Sequence, residues 1–436
     1  MSVNSKHQLS KLEFWLLAIL VFSLPLSEAV KNITSLLFPL VWGWSFYQDK
    51  SAQIVLGKWD AILAVFFLSA YLSVLFAFEF GSDWVTLIDL FGSILLAWLL
   101  LHSRLNERQI YTIINMILVS TFVATIYGLW QWQISDEKLF FELHSVGYFN
   151  QSAMYLGMVA ALTIWLCLLF YKQISQYRFM ALAAVAFIFS SVLLWGESRG
   201  GMIAFVVTVI ILVSVASYKN GLSFAHIIRW NALVVAVFIA LLAINPHLIE
   251  KTVSRINTPG GVSSGRGIIA KVSLEAFSLY PILGVGVANH EKISYKTMAA
   301  WTGQSQEIWK ELYPKSFHPH NLYLGTLAER GIVGVFALTL LIGLWLQLIV
   351  EVSRRTELTT VERIIWGVNV SVLFITLVAG FFNTPLRHEN ARLTFLGLGL
   401  MLSFFVHNRG LNENFVGTTK QTQDRSNGGL FSKSIG

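Results

Sequence analysis

The chain has 436 residues, of which 55% are hydrophobic and only 13% charged, with a mean hydropathy of +0.63. Soluble proteins carry about 25% charged residues, so this composition excludes a soluble globular domain and requires a bilayer. The formal net charge of +7 does not point to nucleic acid, because no stretch forms the basic, aromatic-interleaved patch that such binding needs.

Runs of roughly 17 to 25 apolar residues are long enough to cross about 30 Å of hydrocarbon as helix. In chain order they centre near Leu20, Pro39, Ser69, Ser93, Ser120, Leu162, Phe187, Thr208, Ala236, Leu341, Val372 and Gly399, which predicts about twelve spans. Residues 1–29 imitate a signal peptide, with Lys6 and Lys11 before an apolar core. Ser27-Glu28-Ala29 is a poor cleavage site, so the segment is expected to remain as the first span. The connections Gln48–Trp59, Ser103–Gln109, Lys172–Arg178, Tyr218–Arg229 and Ser353–Arg363 are short and basic, and the positive-inside rule makes them cytoplasmic. The single cysteine, Cys167, lies mid-span, which excludes disulfide frameworks and thiolate metal sites.

One outer connection breaks the pattern, from Pro246 to about Arg330. Loops this long are usually functional or disordered, and this one carries structure. Ile268, Ile269, Val272, Ala276 and Leu279 form an apolar stripe of helical period. A second helix is expected over Ala299–Leu312, with Trp301 and Trp309 as interfacial anchors. Between them, "YPILGVGVANH" at 280–290 reads as a Pro/Gly turn, without the strand and spacing of a phosphate loop. The predicted fold is an all-α integral membrane protein of about twelve transmembrane helices with one large outer loop of amphipathic helices. Spans one to nine fill 1–246, the loop 247–330 and the last three spans 331–407. A polar tail, 408–436, is expected to be disordered.

Ionisable residues at the membrane rim are functional candidates by default, since burying charge without a partner is costly. In "WGESRGGM", 195–202, Glu197 and Arg199 sit in a very short connection. They either serve a site or form a pair closing a turn over Gly200 and Gly201. Arg266 in "SSGRG" is either a solvated arginine or an anion-binding group at a helix start. In His318-Pro319-His320, a metal reading lacks the three or four ligands zinc requires. A neutral imidazole there suits proton transfer at neutral pH. Asn321 can hydrogen-bond beside it, and Gly331 and Gly334 share a helical face where small residues let helices approach closely. Trp130, Trp132, Tyr148 and Phe149 read as an interfacial belt or the lining of a sugar or lipid path, and Arg387 and Arg392 as rim anchors or contacts to acceptor phosphates.

His320-Asn321, nine residues, then Gly331-x-x-Gly334 resembles the H-[NSQ]-x9-G-x-x-G motif of the bacterial O-antigen ligase family. The wider superfamily also holds O-antigen polymerases and protein O-oligosaccharyltransferases. "LPLSEAVKNI" at 24–33, "ESRGG" at 197–201 and "SGRG" leading to "YPILGVGVANH" are similar to further stretches of that family. The resemblance implies a GT-C-type enzyme of the bacterial inner membrane with its loop in the periplasm. Its donor would be a glycan on undecaprenyl diphosphate and its acceptor the lipid A-core oligosaccharide of lipopolysaccharide. It further implies His320 as the catalytic base and Arg199 and Arg266 as diphosphate-binding residues. His318, which fills the variable position before the motif, is assigned a supporting role at most, and Asn321 and, from its rim position, Arg387 are candidate substrate contacts. The outer segments hold no DxD or acidic cluster for Mg2+, so a metal-independent reaction without cofactor is expected. A secondary transporter, the reading from another class, would place its ionisable residues near the midplane on broken helices.

Overall fold

The computed structural model describes residues 7–406, apart from residue 78, residues 135–140, 197, 244–263, 314 and 316. Glu197 and the polar tail therefore lie outside the described residues. A helix occupies every predicted span centre: α1 (Lys11–Ser23), α2 (Glu28–Gln48), α3 (Lys58–Leu75), α4 (Trp84–Leu101), α5 (Glu107–Ile134), α6 (Phe149–Phe170), α7 (Gln176–Trp195), α8 (Arg199–Lys219) and α9 (Phe224–Ala243). After the connection come α10 (Ser264–Leu279), α11 (Tyr295–Thr302) and α12 (Gln306–Leu312), then the long α13 (Leu322–Ser353), α14 (Thr360–Ala379) and α15 (His388–Phe405). Among these helices, eight are apolar and long enough to cross a membrane, namely α3 to α8, α13 and α14. The protein is an all-α integral membrane protein; among the described residues its strands are a two-residue parallel pairing of His7–Gln8 with Ser103–Arg104.

Local chemistry explains where helices start. Ser10 and Glu13 form a capping box on α1, and Thr359 and Glu362 form another on α14. Asp83 accepts from the Thr86 N–H at the start of α4, and Ser198 from Gly201 at the start of α8.

The centre of the bundle is α15, whose residues from Glu389 to Ser403 are all buried. Burial on every face requires neighbours all round, and α15 is packed against α4, α6 and α14. Gly397 and Gly399 make that packing possible. A Cβ would come within 2.8 Å of Val372 on α14 at the first and 2.8 Å of Leu100 on α4 at the second. The polar residues of α15 are paired: Glu389 with Lys31 of α2, Asn390 with Gln151 of α6 (2.7 Å), Thr394 with Thr376 of α14 (3.2 Å) and Arg392 with Asp89 of α4 (3.5 Å).

Over one end of the bundle, α10 to α12 form a small cap with its own core. Val272, Ala276, Met298, Trp309 and Tyr313 are fully buried there. Of the predicted stripe on α10, Ile269, Val272 and Ala276 enter this core and Ile268 packs against it, whereas Leu279 is exposed. Two corrections follow: Gly303, in a left-handed conformation, splits the second expected helix into α11 and α12, and Trp309 is a core residue rather than a membrane anchor. Trp301 packs edge-on against Phe80 of the α3–α4 connection.

The cap is stitched to α13 where that helix breaks. Gly331 has φ 58 and ψ −158, a region essentially reserved for glycine. The backbone groups released by the break are taken up by the 281–286 turn. Val285 and Gly286 donate to the carbonyls of Ala328 and Glu329 (2.9 and 3.0 Å), and Ile332 and Val333 donate to Pro281 and Ile282 (2.8 and 3.3 Å). Unsatisfied backbone at this depth would be costly, so irregular structure persists only where protein completes it. The expected close-packing face of Gly331 and Gly334 is thus corrected. The first permits the break, and the second leaves room for the Arg330 side chain, which a Cβ would strike. Gly331→Ala is expected to destabilise the protein by about 3 kcal/mol or more, through backbone strain and collision with the Ile282 carbonyl. Thermal unfolding in detergent would measure it.

Candidate active site

His320 occupies the last position before the cap of α13. The lead-in is fixed by His290, which is fully buried. His290 Nδ1–H donates to the Phe317 carbonyl (2.8 Å) and its Nε2 meets the Ser273 hydroxyl on α10 (3.0 Å). Burial lowers the His290 pKa, against the Phe317 carbonyl, so it serves as a neutral strut. Pro319 then packs on Gly325, where a Cβ would lie 2.8 Å from its ring.

Asn321 caps α13. Its Oδ1 accepts from the N–H groups of Tyr323 and Leu324, both at 2.9 Å, and its amide donates to Phe381 (3.2 Å). The side chain expected to contact substrate is therefore engaged in holding the helix start. Asn321→Ala should cost about 1 kcal/mol of stability and Asn321→Ser much less, because a serine hydroxyl can accept the same bonds; paired thermal melts would distinguish them.

The His320 imidazole is half-buried and its backbone φ is 43, a left-handed conformation that a side chain rarely adopts. Nδ1 lies 3.4 Å from Asn383 Oδ1. An amide oxygen only accepts, so the tautomer that uses this contact carries its proton on Nδ1 and leaves Nε2 with its lone pair. Burial lowers the pKa of His320 below 6.5; the Asn383 bond opposes this, and His318 and Arg266 lower it further. The imidazole is thus kept neutral at neutral pH.

The Arg266 side chain and the start of α8 meet the residue before Asn383. The Arg266 guanidinium lies 5.4 Å from the centre of the Phe382 ring, a cation–π distance. Arg199 opens α8, and at the adjacent Gly200 a Cβ would lie 2.5 Å from Phe382 Cβ. His320, Arg266 and the start of α8 therefore surround two consecutive residues, Phe382 and Asn383. Neither was singled out from sequence, because a phenylalanine and an asparagine in a short connection carry no local signal of a partner 63 residues away. Ser198, the cap of α8, also donates to Asn150 (2.9 Å), which fixes that helix start against α6.

His318 and Arg387 belong to a second group. Arg387 makes two bonds to Glu329 (2.9 and 3.2 Å) and one to Glu291 (3.2 Å). His318 Nδ1 lies 2.5 Å from Glu291 Oε1 and 3.1 Å from Arg387 Nη1. Burial would raise the Glu291 carboxyl, but His318 and Arg387 outweigh it and hold it low. Burial would lower the Arg387 pKa, yet the two carboxylates raise it. Arg387 is consequently a compensated cation, unlike the group expected from sequence to meet acceptor phosphates. Glu291 and Glu329 were not anticipated. Among the described residues, no three His, Cys, Asp or Glu side chains gather into a metal-holding group.

Of the aromatics singled out in the sequence, Trp130 and Tyr148 are exposed and Trp132 and Phe149 half-buried. Curated proteins give no match to this chain. Residues 184–339 match a family model described as O-antigen ligase. That stretch carries Arg199, Arg266, His318 and His320, while Phe382, Asn383 and Arg387 lie beyond it, and the match supports a function of the ligase or polymerase type.

Proposed function

We propose that this chain is an O-antigen ligase. It transfers a glycan from undecaprenyl diphosphate to the lipid A-core oligosaccharide, at the periplasmic face of the bacterial inner membrane. The observation that carries this reading is the half-buried imidazole of His320, its Nδ1 3.4 Å from Asn383 Oδ1, with the charge of Arg266 among the causes that lower its pKa. The motif containing His320 and the matched stretch 184–339 support the same reading.

The chemistry has two demands. An acceptor hydroxyl is a poor nucleophile, and His320 Nε2 takes its proton as the oxygen bonds to the anomeric carbon. The bond from that carbon to the diphosphate breaks, and the leaving group retains the electron pair. Arg199 and Arg266 answer the charge that accumulates there, since guanidinium offers permanent charge and paired donors. A single displacement with one base inverts the anomeric centre.

Purified protein mixed with lipid-linked glycan and rough lipopolysaccharide should produce capped lipopolysaccharide, at a rate unchanged by EDTA. Longer chains confined to the lipid carrier would identify a polymerase instead. Glycosylated protein acceptors would identify an oligosaccharyltransferase, and uptake without glycan transfer a transporter.

A further inference from the structure

A cavity of about 450 Å³ adjoins the His318-Pro319-His320 segment, between α3, α4, the 287–292 turn, α13 and the stretch before α15. Its volume falls within the range of ligand pockets. His318 and Thr384 line it, whereas Arg199, Arg266, His320 and Phe382 do not. It nevertheless reaches the base closely. The rings of His318 and His320 are 6.2 Å apart, and Thr384 follows the asparagine that holds His320.

The wall differs in charge from the two-arginine site. Glu291 and Glu329 face Arg387 in the ion pairs described above, and buried Arg330 is anchored to the Phe66 carbonyl (2.7 Å) and to Ser69. Asp83 and Asp89 contribute two further carboxylates and Lys292 a further cation. With four carboxylates against these three cations, such a lining carries an excess of negative charge and repels a diphosphate. Fixed guanidinium donors alternating with carboxylate acceptors instead complement neutral vicinal hydroxyls. The backbone around the cavity is also held in an uncommon form. Among the described residues, the non-glycine positions with positive φ are Ala288, His320 and His388; the first and last line the cavity. Such strain persists where surrounding structure imposes it, often at ligand sites.

We infer that this cavity binds the hydroxyls of the acceptor sugar, presenting one of them to His320 from beside His318. The inference rests on the glycan-transfer reading. An attacking hydroxyl must approach opposite the leaving group, and a donor held at Arg199 and Arg266 leaves the cavity to the acceptor.

Two variants of the full chain test it: Leu386→Trp, which fills the cavity, and Glu329→Gln, which keeps shape but replaces one acceptor oxygen and the negative charge by an amide donor. Transfer is measured with rough lipopolysaccharide and lipid-linked glycan varied in turn. Binding of the delipidated core oligosaccharide is measured by calorimetry, and thermal unfolding confirms that each variant is folded. Leu386→Trp should raise the acceptor KM on the order of tenfold or more, weaken oligosaccharide binding equally and leave the donor KM unchanged; Glu329→Gln should act in the same direction. A rise confined to the donor KM would assign the cavity to the donor's own sugars and overturn the inference. Unchanged values for both substrates would show that it holds no sugar. If the unaltered protein transfers no glycan but its oligosaccharide binding falls in Leu386→Trp, the ligase reading fails and the saccharide site stands. Transfer with oligosaccharide binding insensitive to Leu386→Trp gives the converse.

Discussion

His320→Ala is expected to reduce glycan transfer by about 10^2- to 10^4-fold, the contribution of a positioned general base, while the protein still inserts and folds. The side chain is half-buried and its interactions are few, so its loss should leave the bundle intact. His320→Gln is the sharper variant, because it keeps a polar group near Asn383 but cannot accept and release a proton at neutral pH. The pH dependence separates catalysis from positioning. Burial holds the imidazole below 6.5, and in the proposed mechanism the neutral form is the active one. The rate is therefore expected to stay on its plateau as pH falls through 6.5 and to decline only below that value. A single acid limb should govern kcat/KM, and it should vanish from the residual activity of His320→Gln. Equal pH profiles for the two proteins, or near-normal capping by a well-folded His320→Ala, would remove His320 from the role of base.

The apolar runs located the helices because hydrocarbon imposes a length on any segment that crosses it, and the stripe Ile268–Leu279 located α10 because a cap helix must bury one face. Periodicity could not say what the buried face meets. Trp309 lies in an amphipathic segment near a membrane, where a core and an interface both want an aromatic; only the folded cap, with Lys271 over its ring at 5.0 Å, decides. Gly331 and Gly334 have the spacing of a helix-packing pair, yet the backbone at Gly331 is not helical and Gly334 accommodates a neighbour on its own helix. The site was half legible. His320, Arg199 and Arg266 stand out as ionisable groups at a rim, and their types suit the chemistry. Phe382 and Asn383, which His320, Arg266 and the start of α8 surround, were hidden because they are supplied by a distant connection. Arg387 was visible as a cation, but its compensation by Glu329 and Glu291 is a tertiary fact, and a local reading could not tell it from a phosphate contact.

Arg266→Gln is expected to lower kcat/KM for the donor by about 10^2- to 10^3-fold, the usual cost of removing one preorganised group that answers charge in the transition state. Arg266→Lys should recover only part of that loss, because lysine keeps the charge but not the paired planar donors. Arg199→Gln should act in the same direction, and the double variant by less than the product of the two, since both groups are assigned to one diphosphate. A second readout ties Arg266 to the base. Its positive charge is among the causes that lower the His320 pKa, so neutralising it should move the acid limb of the rate profile to higher pH, whereas Arg266→Lys should leave the limb in place. A pure binding role would raise the donor KM without touching that limb, and a purely structural role would lower the thermal midpoint with it. Loss of donor turnover together with an upward shift of the limb in a protein that melts normally is the combination expected of a guanidinium standing between the leaving diphosphate and the base. An unaltered profile with unaltered donor kinetics would remove Arg266 from the site.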